Sequence, residues 1–203
     1  MSTYKAFEVR EETEKNFVGT IVEKSALELA EGSVSIEVCY SSVNYKDALS
    51  ASGSKAVTRE YPHVPGIDAA GTVLASTDSN FAVGDEVVVT GYDLGMNTAG
   101  GFGQQVAVPG GWVTKLPVGL SLRDSMVLGT AGLTAGLCVN KLLLNGITPE
   151  AGKVLVTGAT GGVGIIACAL LVKLGFEVVA STGKLAETAK LTALGVSEVI
   201  SRE

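Results

Sequence analysis

Through residue 116 the hydrophobic positions come in short runs separated by glycine, proline and asparagine: YKAFEV at 4–9, FVGTIVE at 17–23, VSIEVCY at 34–40, GTVLAS at 71–76, DEVVVT at 85–90 and GQQVAV at 103–108. Some alternate apolar with polar residues and others are wholly apolar, and both patterns read as β-strands. Short strands at close intervals predict a small β-barrel or sandwich. NYKDALSAS at 44–52 breaks the alternation and predicts one helical insertion. From Ser121 the period lengthens. SLRDSMVL at 121–128 and TAGLTAGLCVNKLLLNG at 130–146 carry apolar residues at helical spacing, with Ser121 placed to cap the first and Gly146 to end the second. A domain boundary is therefore expected near 122. It gives a β domain at 1–122 and, at 123–203, the first part of a second domain that the helix pair joins or leads into.

That second region continues as strand, turn, helix and strand. KVLVTGATGGVG at 153–164 holds a β-branched strand and then a glycine-rich turn; IIACALLVKLG at 165–175 reads as a helix that stops at Gly175; FEVVAS at 176–181 and EVIS at 198–201 supply two more strands. Such a βαβ unit builds a parallel, doubly wound sheet. The first turn of its helix carries N–H groups with no partner inside the helix, at the positive end of the dipole. Main-chain donors can hold a pyrophosphate there if no side chain blocks its approach, and glycines at 158, 161, 162 and 164 clear that space. The spacing G-x-x-G-G-x-G departs from the dinucleotide fingerprint G-x-G-x-x-G, since Ala159 and Thr160 separate the first two glycines. A tight βα turn without a ligand is the plainer reading of the same residues.

The end of the second strand narrows the ligand. An NAD site places Asp or Glu there, on the ribose hydroxyls. This chain has Ser181, Thr182, Gly183 and Lys184. Two hydroxyls and an ammonium would hold a 2′-phosphate that a carboxylate would repel, so the expected cofactor is NADP. Arg202, just past EVIS, is placed to add a second positive charge. Taken singly, Lys184 is an ordinary solvated lysine at a helix start and Arg202 a tail charge; the absent acid joins them to a phosphate.

Composition sets the outer limits. With 203 residues, a mean hydropathy of +0.37 and 26 glycines, the chain can bury a sizeable core and make many tight turns. Its net charge of −6 and the lack of a basic cluster argue against a nucleic-acid partner. The start, MSTYKAFEVREETEKN, has no apolar signal core, and no apolar run approaches about 18 residues, so no membrane partner is expected and the cytoplasm is the expected location. Cys39, Cys138 and Cys168 lie far apart in apolar runs without a C-x-x-C pair, which predicts buried free thiols rather than a zinc ribbon or disulfide framework. The single histidine, His63, cannot assemble a metal site alone.

SSVNYKDAL at 41–49, VPGIDAAGTV at 64–73, FAVGDEVVVTGY at 81–92, GTAGLTA at 129–135, VLVTGATGGVG at 154–164 and VVASTGK at 178–184 occur in that order over nearly the whole chain. Together they resemble the medium-chain dehydrogenase/reductase superfamily in its zinc-free quinone oxidoreductase branch, most nearly the group containing the NADPH-dependent acrylyl-CoA reductases. The resemblance implies an α/β chain with an N-terminal GroES-like β-barrel domain, a Rossmann-type doubly wound parallel sheet and an active cleft between them. It implies Tyr45 beside the cofactor, with Thr160, Gly161, Gly162 and Val163 at its diphosphate. Thr182, Gly183, Lys184 and Arg202 would surround the 2′-phosphate, and Thr130 and Thr134 would line the nicotinamide and phosphate path. Asn44 and Asp47 fall at the inner edge of the cleft, either as catalytic side chains or as a helix-cap pair holding the NYKD turn. Zinc-dependent members carry Cys near the position of Asn44, a His-Glu pair where this chain has Ile67 and Asp68, and a four-cysteine lobe. None of these ligands is in the sequence, so metal-free catalysis is expected.

The reaction expected is hydride transfer from NADPH to the β-carbon of an activated alkene such as acryloyl-CoA, with protonation at the α-carbon, by a homodimer acting on a small molecule. The protein must align the two carbons and offer donors to the enolate oxygen, for which Asn44 and Tyr45 are the candidates. A quinone acceptor and a non-catalytic nucleotide-binding role are the alternatives. A doubly wound sheet in the order 3-2-1-4-5-6 has about six strands. Three runs are visible before Glu203, so the first strand is expected at an exposed edge and the sequence is expected to be a portion of a longer polypeptide.

Overall fold

The computed structural model describes residues 3–26 and 28–203, which form two compact units, Met1–Thr130 and Ala131–Glu203. In the first, β1 (Thr3–Thr13) and β2 (Asn16–Ser25) make an antiparallel hairpin. Five more strands, β3 (Ser33–Tyr40), β4 (Asp68–Ser76), β5 (Glu86–Thr90), β6 (Gln105–Pro109) and β7 (Val113–Lys115), form an antiparallel sheet in the order β6-β3-β4-β5-β7. Because strand side chains alternate faces, Val34 and Ile36, Val87 and Val89, and Val106 and Val108 turn inward together. With Ala69, Val73, Leu94 and Val113 they make one core. The hairpin is tied on by mutual bonds between the main chains of Val9 and His63, at 2.8 and 2.9 Å, and by Phe7 N–H donating to the Phe102 carbonyl at 2.8 Å. The helical insertion is α1 (Tyr45–Ala51).

Behind the hairpin, His63 is 7% exposed, and among the described residues its Nε2 has no hydrogen-bond partner. Burial holds its pKa below the ordinary imidazole value, against a backbone hydrogen bond with Gly95 and the charge of Asp93. As pH falls through about 6.5 the unfolded chain therefore takes up a proton first, and the folded state loses stability below that point. The melting midpoint is expected to drop between about pH 7.5 and 5.5, and His63→Gln to flatten the drop. A His63→Gln protein whose midpoint still falls as steeply would show that the histidine is not its source.

The second unit holds β8 (Val154–Thr157), β9 (Val178–Thr182) and β10 (Glu198–Ser201), paired in parallel in the order β10-β9-β8, with α3 (Gly162–Lys173) after β8 and α4 (Thr188–Ala193) after β9. This is one half of a doubly wound sheet. It leaves β8 at the edge, with Leu155 57% exposed. Cys168, Leu171, Phe176, Val178, Ala180 and Leu191 form the core together with Val139 of α2 (Leu122–Leu144).

Helix α2 begins where Ser121 Oγ accepts from the Asp124 N–H at 3.0 Å, as a cap does. Its backbone leaves the helix at Gly129, with φ 50° and ψ −155°, between the two segments that the hydrophobic pattern separates. By length and composition α2 is apolar enough to cross a membrane, which corrects the expectation that no apolar stretch comes near that length. The break at Gly129 confines continuous helix to 130–144, shorter than the about 20 residues a span requires.

The cysteines need a second correction. Cys168 is buried, but Cys39 and Cys138 are exposed. An apolar run does not say which face a residue takes: Val34 and Ile36 turn β3 inward on even positions, and Ala135 and Val139 bury the side of α2 that Cys138 does not share.

Candidate functional site

Asp68, the first residue of β4, is fully buried. A carboxylate without water needs other partners, and here they are neutral donors rather than a cation. Its Oδ2 accepts from Ser42 Oγ, from Asn44 Nδ2 at 2.9 Å and from the Thr130 backbone N–H at 2.9 Å; its Oδ1 accepts from Thr130 Oγ1 at 2.7 Å. Asn44 Nδ2 also donates to Ser42 Oγ at 2.9 Å. Two acceptors thus fix which way the Asn44 amide faces, and both of its hydrogens are engaged. Only glycine fits at 129: φ is positive, and a Cβ would lie 2.7 Å from Asp68 Oδ2 and 2.9 Å from Ser42 Oγ.

Asp47, 2% exposed, is the other buried carboxylate of this region. Its Oδ2 accepts from the Asn44 backbone N–H at 2.7 Å and its Oδ1 from the Ile67 N–H at 2.9 Å. Burial pushes its carboxyl up, with the neighbouring charge of Asp68 adding to that, while the N–H groups of Asn44 and Ile67 pull it down. Asp47 therefore reaches back to close the start of α1, as the third residue of a capping box does. Tyr45, the first residue of that helix, is 80% exposed.

In the second unit the glycine turn joins β8 to α3. Gly161 N–H bonds the Gly158 carbonyl at 2.8 Å, and Ala159 N–H bonds the Ser181 carbonyl at 3.1 Å, fastening the turn to β9. The first helical bond runs from Ile165 N–H to the Gly161 carbonyl at 2.9 Å, and among the described residues no side chain caps the helix. The amides of Gly162, Val163 and Gly164 thus start the helix without an intrahelical acceptor, and Gly161, Gly162 and Val163 are exposed. Thr160 Oγ1 and Thr182 Oγ1 lie 2.8 Å apart, and Thr182 Oγ1 accepts from the Lys184 N–H at 3.0 Å. Thr182 is 1% exposed, so it braces the turn from behind.

At the same end of β9, Gly183 lets the Arg202 side chain lie across it, since a Cβ there would meet Arg202 Nε at 2.8 Å. Lys184 and Arg202 are exposed, and neither is in an ion pair among the described residues. Thr134 is exposed on α2.

The structure therefore gathers Asn44, Asp47 and Thr130 in one unit and Thr160, Gly161, Gly162, Val163, Thr182, Gly183, Lys184 and Arg202 in the other. Sequence reasoning missed Asp68 and Ser42, which join the first group. The available signal was an acid inside the apolar run VPGIDAAGTV. It also offered Asn44 as a donor to an enolate, but the geometry leaves that amide no N–H to give. Among the described residues no group of three or more His, Cys, Asp and Glu is placed to hold a metal ion.

Residues 30–118 match the alcohol dehydrogenase GroES-like domain. YhfP of Bacillus subtilis, provisionally named a quinone oxidoreductase, is 53% identical over 179 residues, which cover 88% of this chain and 54% of that protein. The acrylyl-CoA reductase AcuI of Ruegeria pomeroyi is 47% identical over 179 residues, with the same shares of 88% and 54%. The crystal structure of the yhdH oxidoreductase of Salmonella enterica in complex with NADP superposes with a TM-score of 0.93 at 43% identity, over 98% of this chain and 61% of that one. That of Bacillus subtilis yhfP with NAD bound also gives 0.93, at 47% identity over 100% of this chain and 61% of the other. The chain thus spans about half the length of the curated relatives it matches, 54% in both cases. With this β domain, this parallel sheet and these relatives, the chain belongs to the medium-chain dehydrogenase/reductase superfamily, in the group of the quinone oxidoreductases and acrylyl-CoA reductases.

Proposed function

We propose that this chain is part of an NADP-dependent, zinc-independent reductase that adds hydride to an activated alkene of the acryloyl-CoA class. The observation that carries the reading is the uncapped start of α3, bare of side chains at Gly161 and Gly162, on the same sheet whose strands β9 and β10 are followed by the cations Lys184 and Arg202. These residues fit the cofactor chemically. Main-chain amides at 162–164 suit a diphosphate, and an ammonium with a guanidinium suits a 2′-phosphate. Relatives support it too, since one is named an acrylyl-CoA reductase and another is crystallised with NADP.

When bound, NADPH supplies the hydride. In this reading Tyr45 is assigned to the cofactor, and Thr130 and Thr134 to its nicotinamide and phosphate path; Tyr45 and Thr134 are exposed. Asn44 and Asp47 hold the turn that presents Tyr45. The Tyr45 hydroxyl offers a hydrogen bond to the enolate oxygen, and water gives the proton to the α-carbon, leaving hydroxide that the solvent neutralises. A homodimer in the cytoplasm is part of the same reading.

The name of YhfP favours a second acceptor, a quinone. Steady-state kinetics of the full-length protein with NADPH decide between them. Acryloyl-CoA is expected to exceed a small benzoquinone by at least about tenfold in kcat/KM, equivalent to about 1.4 kcal/mol of transition-state binding. Comparable values for the two would defeat the alkene assignment, and no saturable NADPH signal would defeat the enzyme reading altogether.

A further inference from the structure

We propose that Asp68 is a positioning residue of this reaction: its buried carboxylate locks the 41–45 turn onto the break at 129–130, and the arrangement it holds sets turnover rather than cofactor affinity. The inference rests on the reductase reading above and deepens it.

Four hydrogen bonds from three residues converge on one carboxylate with no cation among the donors. Both segments so joined carry residues assigned to the cofactor's reactive end, Tyr45 on one and Thr130 on the other. Ser41 adds a fifth tie, its hydroxyl donating to the Asp68 carbonyl at 2.7 Å. Asp47 fastens the end of the turn separately, accepting from the Asn44 and Ile67 N–H groups. Among the described residues the donors to the Asp68 carboxylate are Ser42, Asn44 and Thr130, whereas the groups assigned to the diphosphate and 2′-phosphate are those at 161–164 and at 183, 184 and 202. Loosening Asp68 should therefore displace the reactive end while leaving the phosphate grip alone.

The test uses the full-length polypeptide. Asp68→Asn removes the charge and sets an amide NH2 either against Thr130 Oγ1, or against the Ser42 hydroxyl, the Asn44 amide and the Thr130 N–H. It is expected to lower kcat about a hundredfold, the scale of a displacement near 1 Å, with the NADPH dissociation constant within about threefold of wild type. Ser42→Ala removes one donor to Asp68 and the acceptor of one Asn44 N–H, and decides the matter if Asp68→Asn does not fold. It is expected to lower kcat about fivefold with the protein still folded, and Ser42→Thr, which restores the hydroxyl, to recover most of that loss. Wild-type kcat in both variants, or NADPH affinity falling in step with kcat, would overturn the proposal. Those results differ from failure of the reductase reading, in which the wild type itself would not bind NADPH; that outcome overturns both.

Discussion

Replacing Gly162 by Asp is expected to weaken NADPH binding by at least about a hundredfold and to leave the fold intact. Gly162 is the first residue of α3, and a Cβ built there meets only the Ala131 Cβ, at 3.3 Å, so the side chain has room. A carboxylate at this point faces the positive end of the helix and should add about 0.3–1 kcal/mol to folding. What it excludes is a second anion. Two like charges about 4 Å apart repel by about 4 kcal/mol at the effective dielectric of a protein surface, which corresponds to about three orders of magnitude in affinity before salt screens part of it. Gly164 would be a poor choice for the same experiment. Its Cβ would lie 2.4 Å from the Gly158 carbonyl oxygen and 2.7 Å from the Ala159 Cα, both backbone, so substitution there deforms the turn and confuses folding with binding. A fluorescence titration with NADPH beside a thermal melt reads both quantities. Binding retained within about fivefold of wild type would remove the glycine turn from the site.

How much of this was legible beforehand depended on the range over which the signal acts. The strands of the β domain announce themselves because alternation is local, and β7 escaped because Val113–Lys115 is too short to show a period. The glycine turn was legible for the same reason: strand, bare turn and helix start lie within twelve consecutive residues of sequence, 153–164. The Asp68 cluster was not. Its bonds join positions 24, 26 and 62 residues apart, and nothing in the composition of either segment specifies that pairing. The direction of the Asn44 amide was likewise hidden, because it follows from which acceptors surround it and not from the residue type. Thr182 shows the same limit: a hydroxyl at the end of β9 suggests a phosphate ligand, yet it is buried against Thr160 and the Lys184 N–H.

That leaves Lys184 as the residue through which the phosphate preference is best tested. Lys184→Ala is expected to raise the NADPH dissociation constant about 10- to 30-fold, the worth of one charge-assisted hydrogen bond, and to change that for NADH by no more than about twofold. The fold should not register the change, because the ammonium is exposed and the hydrogen bonds of this residue to Thr182 and Glu187 run through its backbone N–H and carbonyl. Arg202→Ala should act in the same direction, since its guanidinium lies over Gly183 beside the same strand end. If both cations grip one phosphate, the double variant should lose less than the product of the two single losses, because the second removal acts on a ligand already loosened. Wild-type NADPH affinity should also fall more steeply with salt than that of Lys184→Ala. Equal losses for the two dinucleotides would assign Lys184 to a group they share, such as the diphosphate, and the absence of an acid after β9 would then no longer mark a preference for the phosphorylated cofactor.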